Sequence, residues 1–309
     1  MLLNVEPSLF KYHFPSHPHL FVSEEFNMLN AFKTDLIVRL VPDSEKVQIG
    51  LVGGIRNAIL MSPFSAPYGG FHFKSENNIY PHVIESFLND LIEYGQNESL
   101  VGIQITLPPD IYCRSSNAKA VNAFIRMGFK MQIPDITNWV ELTHFNKVYT
   151  HPASRTYYNQ AVKKGLEFQL VSDVQESEQV YNLIVENRAR MGRPIHMTFK
   201  NIMETAKLFT TDFFKVVNDT GQIVAGAIFY HAQEKIAFAV FWGDAVEGRP
   251  VRAMDFLVLN LWSFYKSKGV TFIDLGKSTE SGIPNEGLLR FKETHECVSS
   301  LKYTFSWEY

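Results

Sequence analysis

The sequence predicts a mixed α/β protein made of two successive halves that share one order of elements. Each half of the 309 residues reads as three strands, a loop, a helix, a strand, a second helix and a last strand. The long helices begin at Ile79 and Pro250, and the strands after them begin at Val101 and Thr271, so the two offsets agree within one residue. Two unrelated α/β domains would rarely agree so closely, and the spacing indicates a structural duplication.

The first half owes its assignment to hydrophobic periodicity and to breaks at glycine and proline. Gly53 and Gly54 separate its second strand from its third, and the apolar residues of the long helix recur at intervals of three and four. The predicted elements are strands at 35–41, 46–52, 57–62, 101–107, 129–133 and 138–143, with helices at 79–94 and 116–127.

The second half has a long helix with Pro250 in its first turn and Gly269 just past its end. Its predicted elements are strands at 213–217, 222–230, 235–242, 271–275 and 297–305, with helices at 250–268 and 285–292. Further helical segments are predicted at 154–164, 174–189 and 198–209. We therefore expect an N-terminal domain at 1–153 and a C-terminal domain at 154–309, the latter including a helical connector at about 154–210.

Composition excludes several classes of protein. Hydrophobic residues make up 46% and charged residues 20%, which is typical of a globular chain and excludes a disordered one. With 29 basic and 32 acidic residues, neither a DNA-binding surface nor an extensive basic face is expected. No apolar run is long enough for a membrane span, and no histidine or cysteine spacing indicates a metal site. The two cysteines, Cys113 and Cys297, form no disulfide framework, so we expect a cytoplasmic protein.

Four segments give the chain a family resemblance. Ala118–Phe129 ends in Gly-Phe, and the others are Ser65–Gly70 (SAPYGG), Phe272–Gly276 (FIDLG) and Gly287–Lys292 (GLLRFK). The order of elements and the first segment resemble the GNAT acyltransferase fold. The other three are similar to segments of the Fem-type aminoacyltransferases of peptidoglycan cross-bridges, which carry two GNAT-like domains in tandem. The resemblance implies two tandem GNAT-like domains over roughly residues 30–305.

The chain departs from both groups at two places. The Fem-type pattern continues with Phe-Gly where this sequence has His295 and Glu296. Acetyl-CoA-using GNATs hold the pyrophosphate with the amides of a glycine-rich turn, and the corresponding segments here are 73–78 and 247–252 (EGRPVR), which do not fit that pattern. Pro250 even removes one amide donor, which weighs against conventional coenzyme A binding.

The resemblance also suggests residues for the site. It places Lys292 beside the donor acyl ester, where its charge would stabilise a carbonyl or a phosphate, and Phe291 could form a wall of the same site. A lysine that only completes a helix end is the simpler alternative. Tyr68, Gly69 and Gly70 would let the backbone approach a ligand closely, or would form an ordinary turn.

Charged residues supply the remaining candidates. Arg249 and Arg252 flank the start of the long second-half helix, where a phosphate contact is favoured. Asp274 or Glu280 could accept the proton of an attacking amine, with Lys277 between them as a substrate-binding residue, although structural roles are the simpler alternative for both carboxylates. Arg188, Arg190 and Arg193 form another basic group, whose simplest interpretation is a solvated helix end.

We therefore predict an acyltransferase that moves an aminoacyl or acyl group onto an amine, with a small molecule or a peptidoglycan precursor as acceptor. No tightly bound cofactor is expected. The donor would be aminoacyl-tRNA, of which only the acceptor stem would be contacted, or acetyl-CoA. The alternatives are a coenzyme A-dependent GNAT N-acetyltransferase and a degenerate GNAT pair that binds a ligand without catalysis.

Overall fold

The chain folds into two compact units, each with its own sheet and hydrophobic core. The computed structural model describes residues 1–309, with the side chain of Arg114 left out of the description. The first unit comprises Met1–Thr137, Thr279–Ile283 and Ser300–Tyr309, and the second comprises Asn138–Ser278 and Pro284–Ser299. The predicted domains divide the chain once, between residues 153 and 154, whereas the first unit also takes in two short segments near the carboxyl terminus.

The described residues form seventeen strands and nine α-helices. The strands are β1 (Leu2–Asn4), β2 (Leu36–Pro42), β3 (Ile49–Arg56), β4 (Ile59–Ser62), β5 (Phe71–Phe73), β6 (Gly102–Thr106), β7 (Lys130–Met131), β8 (Asp135–Glu141), β9 (Glu167–Val171), β10 (Thr211–Val217), β11 (Ile223–Gln233), β12 (Ile236–Asp244), β13 (Phe272–Lys277), β14 (Thr279–Glu280), β15 (Ile283–Pro284), β16 (Val298–Lys302) and β17 (Thr304–Glu308). The helices are α1 (Pro7–His13), α2 (Glu24–Leu29), α3 (Pro81–Asn97), α4 (Asp110–Arg126), α5 (Pro152–Val162), α6 (Val174–Arg190), α7 (Phe199–Ala206), α8 (Ala253–Ser267) and α9 (Glu286–Thr294).

The sheet of the first unit has the order β1-β2-β3-β4-β6-β17-β7, with β5 paired to β3. Its strands β4 and β6 run parallel, whereas β6 and β17 run antiparallel. Helix α3 packs against β1, β3 and α4, and it buries Ile84, Phe87, Leu88 and Leu91, which recur at the spacing of one helix face. These side chains belong to one apolar core with the strands, so the unit has a helical layer on a mixed sheet.

The sheet of the second unit has the order β16-β8-β13-β12-β11-β10-β9. Here β12 and β13 form the parallel pair, and β10, β11 and β12 are joined antiparallel. Helix α6 packs against β10, β11 and β12. Helix α8 is apolar on most of its surface and buries Trp262 and Tyr265 completely, because α5 and the sheet both pack against it.

Three local predictions differ from the structure. The predicted strand at 297–305 is two strands, β16 in the second sheet and β17 in the first. Strand β3 continues through Gly53 and Gly54, and the chain turns instead at Asn57 and Ala58, which have φ of 52° and 57° as a two-residue hairpin turn requires. Helix α8 begins at Ala253 rather than Pro250, because Arg252 has a left-handed φ of 59° that no helix interior accepts.

Candidate functional site

A pocket of about 570 Å³ opens in the second unit where β12 and β13 separate. The two strands are paired only over Ile236–Phe238 and Phe272–Asp274, whereas β12 continues to Asp244. The last residues of β12, the end of α6, the start of α8 and α9 line the pocket. Its volume lies within the range of ordinary small-molecule sites.

Gly243 lets α6 approach the end of β12 at this pocket. A Cβ at this position would lie 2.8 Å from Cγ of Asn187, so the absence of a side chain is required for the contact. Asn187 donates from Nδ2 to the main-chain oxygen of Asp244 at 2.8 Å and to its Oδ1 at 2.7 Å. The floor of the pocket is therefore held by side-chain hydrogen bonds to the end of β12.

Four arginines line the pocket, and they come from two parts of the chain. Arg188 and Arg193 lie at the end of α6 and just beyond it, whereas Arg249 and Arg252 lie in the loop that leads into α8. The guanidinium of Arg252 lies 3.8 Å from the centre of the Tyr157 ring, a cation–π contact that fixes its position. This set of planar donors suits a phosphate or a carboxylate.

Arg188 is the arginine with an unused donor. Its Nε is buried and has no hydrogen-bond partner among the described residues. Burial lowers the pKa of Arg188, and the nearby Arg193 lowers it further. Two like charges held together beside a pocket are stabilised when an anion enters, so this pair is a ready site for one.

Asp244 holds two other arginines in place. Its Oδ2 lies 3.7 Å from Nε of Arg249, and its main-chain oxygen accepts a 2.7 Å hydrogen bond from Arg190. Burial raises the pKa of Asp244, while Arg249 and Arg190 act in the opposite direction. The carboxylate orients Arg249 at the pocket edge rather than leaving an unpaired negative charge there.

The backbone of the loop before α8 is largely occupied by its own hydrogen bonds. The amides of Gly248, Arg249 and Arg252 donate to the carbonyls of Ala245, Val246 and Arg249, at 3.1, 3.3 and 3.1 Å. Pro250 has no N–H to donate. These amides cannot serve as a pyrophosphate cradle as the loop stands, and the arginine side chains are the available anion donors.

A buried carboxylate–histidine pair forms the back of the pocket. Asp255, in the first turn of α8, lines the pocket, and its Oδ1 lies 3.1 Å from Nε2 of His295. The other ring nitrogen of His295 lies 2.6 Å from the main-chain oxygen of Phe291, and the two rings stack with their centres 4.0 Å apart. His295, where the Fem-type pattern differs, therefore connects Asp255 to the pocket wall.

Lys292 does not line the pocket. Its side chain is buried, and Nζ donates to the main-chain oxygens of Leu275, Gly276 and Lys277 at 3.0, 2.9 and 3.2 Å. Burial lowers the pKa of this amine to about 8. Its observed contacts hold the end of β13, while a direct contact with a substrate stays a prediction.

The other predicted site residues lie away from the arginines. Asp274 is fully buried and accepts a 2.8 Å hydrogen bond from the amide of Gly276. Lys277 and Glu280 are exposed, and Glu280 belongs to the first unit. The structure thus brings Arg249, Arg252 and Phe291 to the pocket and leaves these three outside its lining.

The predicted Tyr68–Gly70 loop is a packed interior segment of the first unit. Tyr68 is 1% exposed, and its ring contacts the rings of His19 and Tyr112 with centres 4.9 and 5.0 Å apart. Gly70 has a φ of 105°, which few other residues adopt, and its amide donates to Oγ of Ser62. The glycines here serve a tight turn, and binding of a ligand by this loop stays a prediction.

The first unit has a smaller pocket of about 210 Å³ near the end of its own parallel strands. Phe71, Leu107 and Asn117 line it together with His19. His19 and the neighbouring His72 are buried, and burial lowers the pKa of each to about 3. No lysine or arginine lines this pocket among the described side chains.

Sequence analysis missed most of the second unit's pocket. It grouped Arg188 and Arg193 but assigned them to a solvated helix end, whereas both line the pocket. Asp255 had a usable signal, because it is the one acidic residue in the otherwise apolar α8. Asp244 and Asn187 had none, since only the packing of α6 on β12 brings them together.

Two searches for other kinds of site found nothing within the described part of the chain. It contains no cluster of three histidine, cysteine or acidic residues arranged to hold a metal ion. Among its helices, none combines the length and the apolar character that crossing a bilayer requires.

Comparison with known proteins gives likeness in fold alone. Neither a protein-family model nor a curated protein sequence matches this chain. The crystal structure of FemX is similar with a TM-score of 0.71 and 13% identity, over 100% of this chain and 97% of that one. The L-PGS of Bacillus licheniformis has a TM-score of 0.59 and 13% identity, over 98% and 92% of the two chains. A tandem GNAT protein from the clavulanic acid biosynthesis pathway has a TM-score of 0.51 and 10% identity, over 88% and 83%. These likenesses confirm the predicted fold class, and the chain has the fold of FemX and of tandem GNAT proteins.

Proposed function

We propose that this protein transfers an acyl or aminoacyl group to an amine and binds a phosphate-bearing substrate in the pocket of its second unit. The observation that carries the proposal is the set of four arginines around this pocket, with the buried, unpartnered Nε of Arg188 among them. An unfilled cationic site of this kind is stabilised by a phosphate, which every donor considered for this fold contains.

The reaction itself needs little from the protein beyond binding and orientation. The nitrogen of a neutral amine attacks the donor carbonyl, a C–N bond forms, and the ester or thioester bond breaks. The departing alcohol or thiol takes up the proton that the amine loses. Holding the two reactants together in a pocket supplies much of the acceleration, and the guanidinium groups can stabilise negative charge on the donor.

The donor we favour is aminoacyl-tRNA rather than acetyl-CoA. The loop amides that would hold the pyrophosphate of coenzyme A are already bonded within the loop, and Pro250 has none. Arginine side chains contact single phosphates without such a cradle, as the acceptor end of a transfer RNA would require. The Fem-type resemblance and the likeness to FemX support a peptidoglycan precursor as the acceptor.

The test measures both transfer and binding with defined compounds. Radiolabelled aminoacyl-tRNA and a nucleotide-linked peptidoglycan pentapeptide are incubated with the protein, and the aminoacylated product is counted. Acetyl-CoA with the same acceptor provides the comparison. In parallel, the melting temperature is measured with each compound, and a ligand at about a hundred times its Kd should add about 2.7 kcal/mol.

Transfer from aminoacyl-tRNA with no transfer from acetyl-CoA supports the proposal. Transfer from acetyl-CoA alone would instead identify a coenzyme A-dependent N-acetyltransferase. A melting shift without transfer of any group would identify a binding protein. If no compound is bound and none is transferred, the proposal is wrong.

A further inference from the structure

The second-unit pocket combines its arginines with one carboxylate that no arginine neutralises. Asp244 and Asp255 both line the pocket. Asp244 is surrounded by cationic and amide partners: Oδ1 accepts from Asn187, and Oδ2 faces Arg249. Its charge is therefore already used within the protein.

Asp255 is different. His295 contacts only its Oδ1, and its Oδ2 has no hydrogen bond to any described residue. About 10% of its side chain stays accessible although the residue as a whole is buried. A carboxylate with one free oxygen at a pocket wall is an acceptor for a donor group on a ligand.

The position of Asp255 is fixed on every side, so it forms a defined site rather than a mobile acid. The hydroxyl of Tyr149 donates to its main-chain oxygen at 2.8 Å. His295 is held in turn, because the indole of Trp262 donates to its main-chain oxygen at 3.0 Å. Fixed charges on rigid elements bind with little loss of side-chain entropy.

We infer that the ligand of this pocket carries a primary amine as well as a phosphate, and that Asp255 binds the ammonium while the arginines bind the phosphate. The inference rests on the proposed function for the phosphate half. It adds the residue that would select a substrate with a free amino group over one that carries an acetyl group or a hydroxyl in its place. An ammonium offers three donors, which suits an oxygen that lacks a partner.

The experiment compares two small probes that differ only in this group. O-phosphoethanolamine and 2-hydroxyethyl phosphate have the same length and the same phosphate, and isothermal titration at low ionic strength gives the affinity of each. The wild-type protein is expected to bind the amine about tenfold more tightly. In Asp255→Asn both probes should bind with the affinity of the hydroxyl compound.

Asp212→Asn is the matched control. Asp212 also contacts a histidine, with Oδ2 2.7 Å from Nε2 of His231, and it accepts from the hydroxyl of Tyr265, but it does not line the pocket. This variant should keep the tenfold preference, so a general effect of removing a carboxylate that pairs with histidine is separated from the loss of the amine site.

The outcomes also separate this inference from the proposed function. If the wild-type protein binds both probes equally, the inference is wrong while the phosphate site stands. If it binds neither, the phosphate site and the inference fail together. A preference that persists in Asp255→Asn would likewise overturn the assignment to Asp255. The comparison of the two probes on the wild-type protein decides the matter even if the variant does not fold.

Discussion

The pockets of the two units differ in charge far more than in fold. Each lies near the end of a parallel pair of strands in a mixed sheet. The first holds about 210 Å³ and is bordered by the neutral imidazole of His19, whereas the second holds about 570 Å³ and is lined by four arginines. Because an anion is bound by charge and not by sheet order, only the second pocket is equipped for a phosphate.

The comparison teaches that the two halves treat buried titratable groups in opposite ways. The first unit buries His19 and His72 in their uncharged form, at a pKa of about 3 for each. The second keeps charged groups beside its pocket and satisfies them with hydrogen bonds, as Asp244 and Asn187 illustrate. A duplicated fold can thus leave one copy as a neutral scaffold and equip the other for a charged ligand.

The largest expected effect is a loss of stability of the first unit in acid. Between pH 6.5 and about pH 3 the unfolded chain binds protons at His19 and His72 that the folded chain does not, so the free energy of unfolding falls as the pH falls. At pH 5 each histidine should cost about 2 kcal/mol, and the two together about 4 kcal/mol. Urea unfolding at pH 7 and pH 5 measures this difference.

His72→Phe separates this effect from general acid sensitivity, since the ring would still fill the space beside Phe10 and Phe14. The variant should lose about half of the pH dependence. His196→Phe, at an exposed position, should retain all of it. An unchanged pH dependence in His72→Phe would contradict the neutral burial of this residue.

Lys292→Ala should lower the melting temperature. The change removes the donor to three main-chain carbonyls at the end of β13 and leaves a cavity, which should destabilise the protein by about 3 kcal/mol. In a unit of this size that corresponds to about 6 to 12 °C. Lys277→Ala, an exposed neighbour, serves as the control. An unchanged melting temperature together with lost turnover would instead favour a catalytic role for Lys292.

The pH dependence of this variant has a defined sign. The folded wild-type protein gives up the Lys292 proton near pH 8, whereas the unfolded chain holds it up to about pH 10.5. Wild-type stability should therefore rise relative to Lys292→Ala between these values, by up to about 3 kcal/mol. Unfolding of both proteins across this range, compared at each pH, removes the contribution of groups that they share.

Replacing Arg188 and Arg193 together by alanine should weaken phosphate binding about a hundredfold, or about 2.7 kcal/mol. The melting temperature should stay the same or rise, because the change removes a buried unpartnered Nε and a repulsion between like charges. Titration with pyrophosphate measures the affinity. Arg126→Ala in the first unit, whose guanidinium pairs with Glu85, should leave it unchanged. Undiminished binding in the double variant would place the anion elsewhere.

The smallest expected effect concerns the support of Arg252. Tyr157→Ala removes the ring over which this guanidinium lies at 3.8 Å, a contact worth about 0.5 to 1 kcal/mol. Phosphate affinity should fall two- to fivefold. Tyr157→Phe should retain the contact and the affinity, so an equal loss in both variants would contradict the stacking argument.

Much of the architecture could be predicted from the sequence, because it follows from local patterns. The apolar faces of α3 and α8, the hydrophobic strands and the positions of the turns made the order of elements legible. The prediction that residues 297–305 form one strand was wrong, because β16 and β17 belong to different sheets. Nothing local distinguishes a single strand from two that pair with different neighbours.

The site divides in the same way. Arg249, Arg252 and Phe291 could be picked out by their place around a helix start or a family-like segment, and they do line the pocket. Arg188 and Arg193 were visible as a basic group, but their partners across the pocket lie about sixty residues further along the chain. Only folding brings them together.

By itself the sequence determined the class of fold, its two-part order and the excess of basic residues at two helix ends, since these depend on composition and spacing along the chain. The tertiary structure alone decided which charges share a pocket, which carboxylate keeps a free oxygen and which lysine is buried. Those properties depend on distances between residues far apart in the chain, and on the loss of water around them, which no local pattern encodes.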